Sequence, residues 1–127
     1  MILADTSIWI DHLRAGLREM ERRLNLGQIV MHPFIVAEIA SGSLRNRKNR
    51  LAELDALREV RVAQLDEVRN MIEAHSLFAK GIGLTGAHLL ASCLLTPGTR
   101  LWTRDANLEK AARALGIVFE LSPPRHG

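Results

Sequence analysis

The chain has 127 residues, 47% of them hydrophobic and 24% charged, which is enough for a buried core and argues against a disordered or fibrous protein. Its net charge of +3 and isoelectric point near 9.7 favour polyanions without selecting them. The single cysteine, Cys93, excludes an intrachain disulfide, and no apolar run approaches the length of a membrane span.

Met1-Ile2-Leu3-Ala4 opens the chain without a basic leader, so a cytoplasmic protein is expected, with residues 2–4 as a first strand. Thr6 to Leu26 reads as one or two helices, broken or bent near Gly16. Gln28 to Met31 is a short buried strand, and Pro33 suits the first turn of a helix that runs to Ser41 and stops at Gly42. Leucines at 44, 51, 54 and 57 predict an amphipathic helix over 44–57, and Val60 and Val62 a brief strand. Asp66 is placed as the N-cap of a helix reaching about Lys80.

Gly81-Ile82-Gly83 is a loop before an apolar helix from about Thr85 or Gly86 to Leu95, in which Cys93 is an inert buried thiol. Pro97-Gly98 turns the chain into a strand from Arg100 to Thr103, ending at Asp105. A helix over 106–114 is closed by Gly116, Ile117 to Leu121 is the last strand, and Ser122 to Gly127 is a loose tail. Alternating short apolar runs and amphipathic helices predict one α/β domain over 1–127 with a largely parallel sheet.

Asp5 and Asp105 fall at or just past the carboxyl ends of predicted parallel strands, the edge where α/β folds build their sites. Glu38 is the only charge in Phe34-Ile35-Val36-Ala37-Glu38-Ile39-Ala40, so it is expected at the border of the core with a partner. Each acid alone is explained by helix capping or an arginine. Three together are better explained by one pocket, and carboxylate oxygens suit Mg²⁺ or Mn²⁺.

In the order Leu3-Ala4-Asp5-Thr6-Ser7-Ile8-Trp9-Ile10, Ala37-Glu38-Ile39, Gly81-Ile82-Gly83 with Ala87-His88-Leu89-Leu90-Ala91-Ser92, and Leu101-Trp102-Thr103-Arg104-Asp105, the chain resembles PIN domains, and among them the VapC toxins of toxin–antitoxin pairs. The first motif is common alone, but the four in this order cover nearly the whole chain. The resemblance implies an α/β/α sandwich with a mostly parallel sheet of about five strands. It implies a metal-dependent endoribonuclease in which Asp5, Glu38 and Asp105 are catalytic and hold Mg²⁺ or Mn²⁺, with Ser7 and Thr103 orienting them. Asp5 and Asp105 would be direct ligands, and Glu38 a ligand or the group that orients the attacking water. The metals would polarise a phosphoryl oxygen and generate hydroxide, leaving a 5′-phosphate and a 3′-hydroxyl. The implied partners are RNA, a cognate VapB-type antitoxin that covers the acidic pocket, and a second copy in a homodimer. No membrane is implied.

One position departs from the pattern. The family places a metal-binding aspartate just before Ala87-His88-Leu89-Leu90, where this chain has Gly86, so impaired metal affinity and turnover are expected in a folded domain. Gly86 fits a naturally weakened member or a chain altered at that position; the intact surrounding pattern favours the second, and the encoding gene decides. His88 is no substitute, since two residues along a helix it faces elsewhere.

Arg45, Arg47, Lys48 and Arg50 form one candidate RNA-binding cluster; Arg14, Arg18 and Arg22, which would share one helix face, form a second with Arg23 adjacent. A solvated face paired with Glu19, Glu21 or Glu53 explains either cluster equally simply, and Trp9 and Trp102 are read as core. The alternative function is a catalytically silent PIN scaffold that binds antitoxin or RNA. A receiver-like domain is set aside, because adjacent acids after the first strand and a late lysine are missing.

Overall fold

A computed structural model describes residues 1–121. In chain order the elements are β1 (Ile2–Ala4), α1 (Thr6–Ala15), α2 (Arg18–Asn25), β2 (Ile29–Val30), α3 (Pro33–Ala40), α4 (Arg47–Asp55), α5 (Leu65–Ala74), α6 (Gly83–Leu95), β3 (Arg100–Trp102) and α7 (Ala106–Ala114). The strands run parallel in the order β2-β1-β3, with Leu3 opposite both Val30 and Leu101. Every residue of central β1 is buried, as expected of a parallel strand covered on both faces. Helix α1 packs on β1, and α6 and α7 pack on β3.

Among the described residues the sheet has three strands, where about five were expected. At each edge a further segment adds one parallel bridge, Met31 to Glu59 and Leu101 to Val118. The Val60–Val62 segment stops there because its backbone is taken by α6: Arg61 N donates to Thr96 Oγ1 at 2.9 Å and Ala63 N to Ser92 Oγ at 3.1 Å. At the other edge Leu101 supplies both bonds, donating to Ile117 O at 2.7 Å and accepting from Phe119 N at 2.8 Å. The Ser122–Gly127 tail lies outside the described residues.

Gly16 separates α1 from α2 with φ +75, a left-handed conformation that costs glycine little. The break is reinforced by His12, whose carbonyl accepts from Gly16 N at 2.8 Å and whose Nδ1 accepts from Leu17 N at 3.1 Å. Arg14 thus lies on a different helix from Arg18 and Arg22, so the expected four-residue stripe is split. The split follows from the chain leaving the helix at 16, where a continuous helix would have kept the spacing.

Two helix limits also differ from expectation. Helix α5 starts at Leu65, so Asp66 lies in its first turn; Gln64 is the N-cap, and Glu67 accepts from Gln64 N at 3.0 Å. The same helix ends at Ala74 instead of near Lys80, because Ser76 adopts φ +52 and Leu77 N turns back to Ile72 O at 2.9 Å. Helix α4 begins at Arg47, after Asn46 takes φ +54, so Leu44 and Arg45 precede it. Helix α6 begins at Gly83, placing Gly86 within its first turn instead of at its cap.

Candidate active site

The register of β1 and β3 sets the site. Ala4 lies opposite Trp102, and Asp5 N donates to Trp102 O at 2.9 Å, so the two strands end side by side. Each then enters a helix through an aspartate. Asp5 caps α1, accepting from Ile8 N at 3.3 Å, and Asp105 caps α7, accepting from Leu108 N at 2.9 Å.

Thr103 joins the two caps. Its hydroxyl donates to Asp5 Oδ2 and accepts from Asp105 N at 3.0 Å. Ser7 Oγ donates to Asp5 Oδ1 at 2.6 Å. Asp5 is only 7% exposed, and three protein donors compensate its charge. A metal ion is thus not needed to account for a carboxylate at this depth.

Glu38 sits elsewhere. It was expected at the border of the core with a partner, but it is exposed on α3 and makes no side-chain hydrogen bond or ion pair among the described residues. Its place on the helix explains this, because neighbouring Ile35 and Ile39 take the inward face. Glu38 lines a cleft of about 600 Å³ with Ile10, Leu13, Arg14, Ile39 and Arg45, between α1, α3 and the loop before α4.

Gly86 is buried in the first turn of α6, and a β-carbon added there would lie 3.2 Å from Leu108 Cδ1 and 3.7 Å from Ile82 Cβ. Position 86 thus faces the start of α7, the helix that Asp105 caps. His88 turns away from it into the core, its ring centroid 4.6 Å from that of Phe34.

Oxygen donors without cysteine or histidine are of the right type for Mg²⁺ or Mn²⁺. Their number is short. Among the described residues no three acidic, histidine or cysteine side chains gather closely enough to hold a metal ion. Asp5 and Asp105 are brought together, Glu38 is not joined to them, and Gly86 offers no ligand.

The basic clusters are only partly paired with acids: among the described residues Arg14, Arg18, Arg45 and Lys48 form no ion pair. Arg22 and Arg23 reach Glu19 at 3.3 and 2.7 Å, and Arg50 reaches Glu53 at 3.6 Å. Arg47 donates to the carbonyls of Ala40 and Gly42 at 2.5 and 3.3 Å, closing the end of α3. Arg45 and Lys48 are exposed. Trp9 and Trp102 are core residues, and burial drives the Cys93 thiol up to about 12, consistent with an inert role.

Sequence reasoning missed two features beside the acids. Arg104, between Thr103 and Asp105, forms an ion pair with Asp11 of α1. The partners are 93 residues apart, so no local pattern could announce them. His32 is fully buried, and its Nδ1 caps α3 by accepting from Phe34 N at 3.0 Å. A His-Pro pair before an apolar run was the available signal, since Pro33 already marks the first turn.

The PIN domain sequence profile matches residues 2–114. Ribonuclease VapC32 of Mycobacterium tuberculosis, from strains CDC 1551 / Oshkosh and H37Rv, is 38% identical over 119 residues, covering 94% of this chain and 96% of the relative. The chain is a PIN domain of the VapC family. In this chain Asp5, Thr103 and Asp105 stand together at the carboxyl ends of β1 and β3 as the candidate site, and position 86 lies against Leu108. No helix of this VapC-family chain is long and apolar enough to cross a membrane among the described residues.

Proposed function

We propose that this chain is a single-domain, cytoplasmic, metal-dependent endoribonuclease of a VapBC-type toxin–antitoxin pair, weakened by glycine at position 86. The reading is carried by one observation: two aspartates ending adjacent parallel strands are tied through the Thr103 hydroxyl. Asp5 and Asp105 would be the metal-binding carboxylates, with Ser7 and Thr103 fixing the Asp5 rotamer. Glu38 would join through the cleft it lines, orienting substrate or water, and Arg45 in the same cleft would meet a phosphate. When bound, Mg²⁺ or Mn²⁺ would supply a Lewis acid and an activated water for phosphodiester hydrolysis.

The likeness to ribonuclease VapC32 supports RNA as substrate. The apolar cleft beside Glu38, edged by Arg14 and Arg45, would take a segment of the antitoxin with apolar and acidic side chains. A homodimer completes the proposed assembly.

The test is Gly86→Asp. The variant should cleave RNA in Mg²⁺ on the order of tenfold or more faster than the parent, as lost metal-site contacts cost at least this elsewhere. Asp5→Ala in that background should abolish the gain. Equal rates in parent and variant would remove position 86 from the site.

A second reading, a silent scaffold that binds antitoxin or RNA, is favoured by one observation: three carboxylates do not gather among the described residues. It predicts RNA or antitoxin binding with no cleavage even after Gly86→Asp.

A further inference from the structure

We propose that Arg104 is the residue through which this site grips an RNA phosphate, and that Asp11 holds its guanidinium in place until RNA replaces it. The inference rests on the nuclease reading above and assigns a positioning pair within it.

The position of Arg104 is fixed by its neighbours. On one side Thr103 is buried and tied to Asp5; on the other Asp105 caps α7, and its N–H returns to the Thr103 hydroxyl. The backbone between two site carboxylates therefore has little freedom, while the side chain that leaves it is 56% exposed. A cation anchored in this way sits at the rim of an acidic site, where a polyanionic substrate would otherwise be repelled.

The other arginines near the site differ in this respect. Arg47 is committed to carbonyls at the end of α3, and Arg50 pairs with Glu53 on its own helix. Arg45 stands on the loop before α4, across the cleft on the Glu38 side. Arg104 alone among these is held between Asp5 and Asp105.

Asp11 reaches Arg104 from α1, two turns beyond the Asp5 cap, and is itself 34% exposed. An exposed pair of this kind is weak and is screened by salt. A phosphodiester presents the guanidinium with a bidentate acceptor of equal charge on a polyanionic strand whose counterions are released on binding, so exchange of partner is favoured in the complex. Asp11 thereby gives the guanidinium a defined rotamer in the free protein, and it competes with RNA for it.

The test measures binding of a fluorescein-labelled single-stranded RNA to the full chain in EDTA, by anisotropy across a salt series. Arg104→Ala should weaken binding several-fold and flatten the slope of log affinity against log salt by about 0.7, the value for one lost phosphate contact on a single strand. Arg104→Lys should keep the slope and recover part of the affinity. Asp11→Asn should tighten binding, since it frees the guanidinium and removes a repelling carboxylate. If Arg104→Ala leaves affinity and slope unchanged while the parent binds, the assignment is overturned and the nuclease reading stands. A loss in Asp11→Asn equal to that in Arg104→Ala would also overturn it, by showing that the pair only braces the loop. Absence of saturable RNA binding by every form would overturn the nuclease reading, and this assignment with it.

Discussion

Thr103 uses one hydroxyl for two purposes, and its removal should be felt twice. Its proton goes to Asp5 and its lone pair receives the Asp105 N–H, in a buried setting. Thr103→Val keeps the shape but leaves a buried carboxylate oxygen and a backbone donor without partners. Such a loss costs about 1–3 kcal/mol. We expect a clear fall in the urea midpoint for Thr103→Val and near-parental stability for Thr103→Ser, which retains the hydroxyl. A valine variant as stable as the parent would mean that water takes over both bonds. In the Gly86→Asp background the same valine should depress RNA cleavage more than stability, because Asp5 loses its rotamer constraint.

At the scale of elements, α3 is held at both ends by side chains that are far from ordinary caps. Arg47 closes its carboxyl end, and the neutral ring of His32 opens its amino end. His32 Nδ1 accepts from Phe34 N, so the ring must carry its proton on Nε2, which is buried without a partner. Burial, with a smaller contribution from His88, lowers the His32 pKa to about 4. The unfolded ring takes up its proton near pH 6.5, so between about 6.5 and 4 the unfolded state binds more protons. Stability is therefore fully present above pH 6.5 and declines as the pH falls toward 4, by an amount on the order of 3 kcal/mol. His32→Asn should preserve the cap through its side-chain oxygen while flattening this part of the pH–stability curve. An unchanged curve in the variant would assign the acid sensitivity to other groups.

Elements announced by local chemistry were legible in the sequence. Pro33 marks α3, Gly16 breaks α1 from α2, and Gly116 closes α7 with φ +73. The start of α5 was misplaced because Asp66 outranks Gln64 as a cap by type, whereas Glu67 bonding to Gln64 N fixes the start two residues earlier. The end of α5 and the sheet edges were not legible, since they depend on Ser76 adopting a left-handed φ and on α6 hydroxyls occupying the 61–63 backbone. At the site, Asp5 and Asp105 could be read from strand ends. The exposure of Glu38 and the Asp11–Arg104 pair could not, because helix rotation and contacts across 93 residues leave no periodic trace.

For the whole molecule, the role proposed for position 86 couples the site to folding. Gly86 lies against Leu108, so an introduced side chain must displace a flexible methyl by a few tenths of an ångström and place a carboxylate in a buried turn. Without a divalent ion, Gly86→Asp should therefore melt below the parent, since a buried charge against Leu108 and Ile82 without a partner is unfavourable. With the ion the order should reverse. A ligand that binds only the folded state adds about 2.7 kcal/mol at a hundred times its dissociation constant. For a domain of this length that corresponds to a rise on the order of 10 °C. Thermal denaturation with and without Mn²⁺ distinguishes the cases: a large increment in Gly86→Asp, little in the parent, and none once Asp5→Ala is added. Equal increments in parent and variant would place the ion elsewhere, and with it the site's link between β1, β3 and α6.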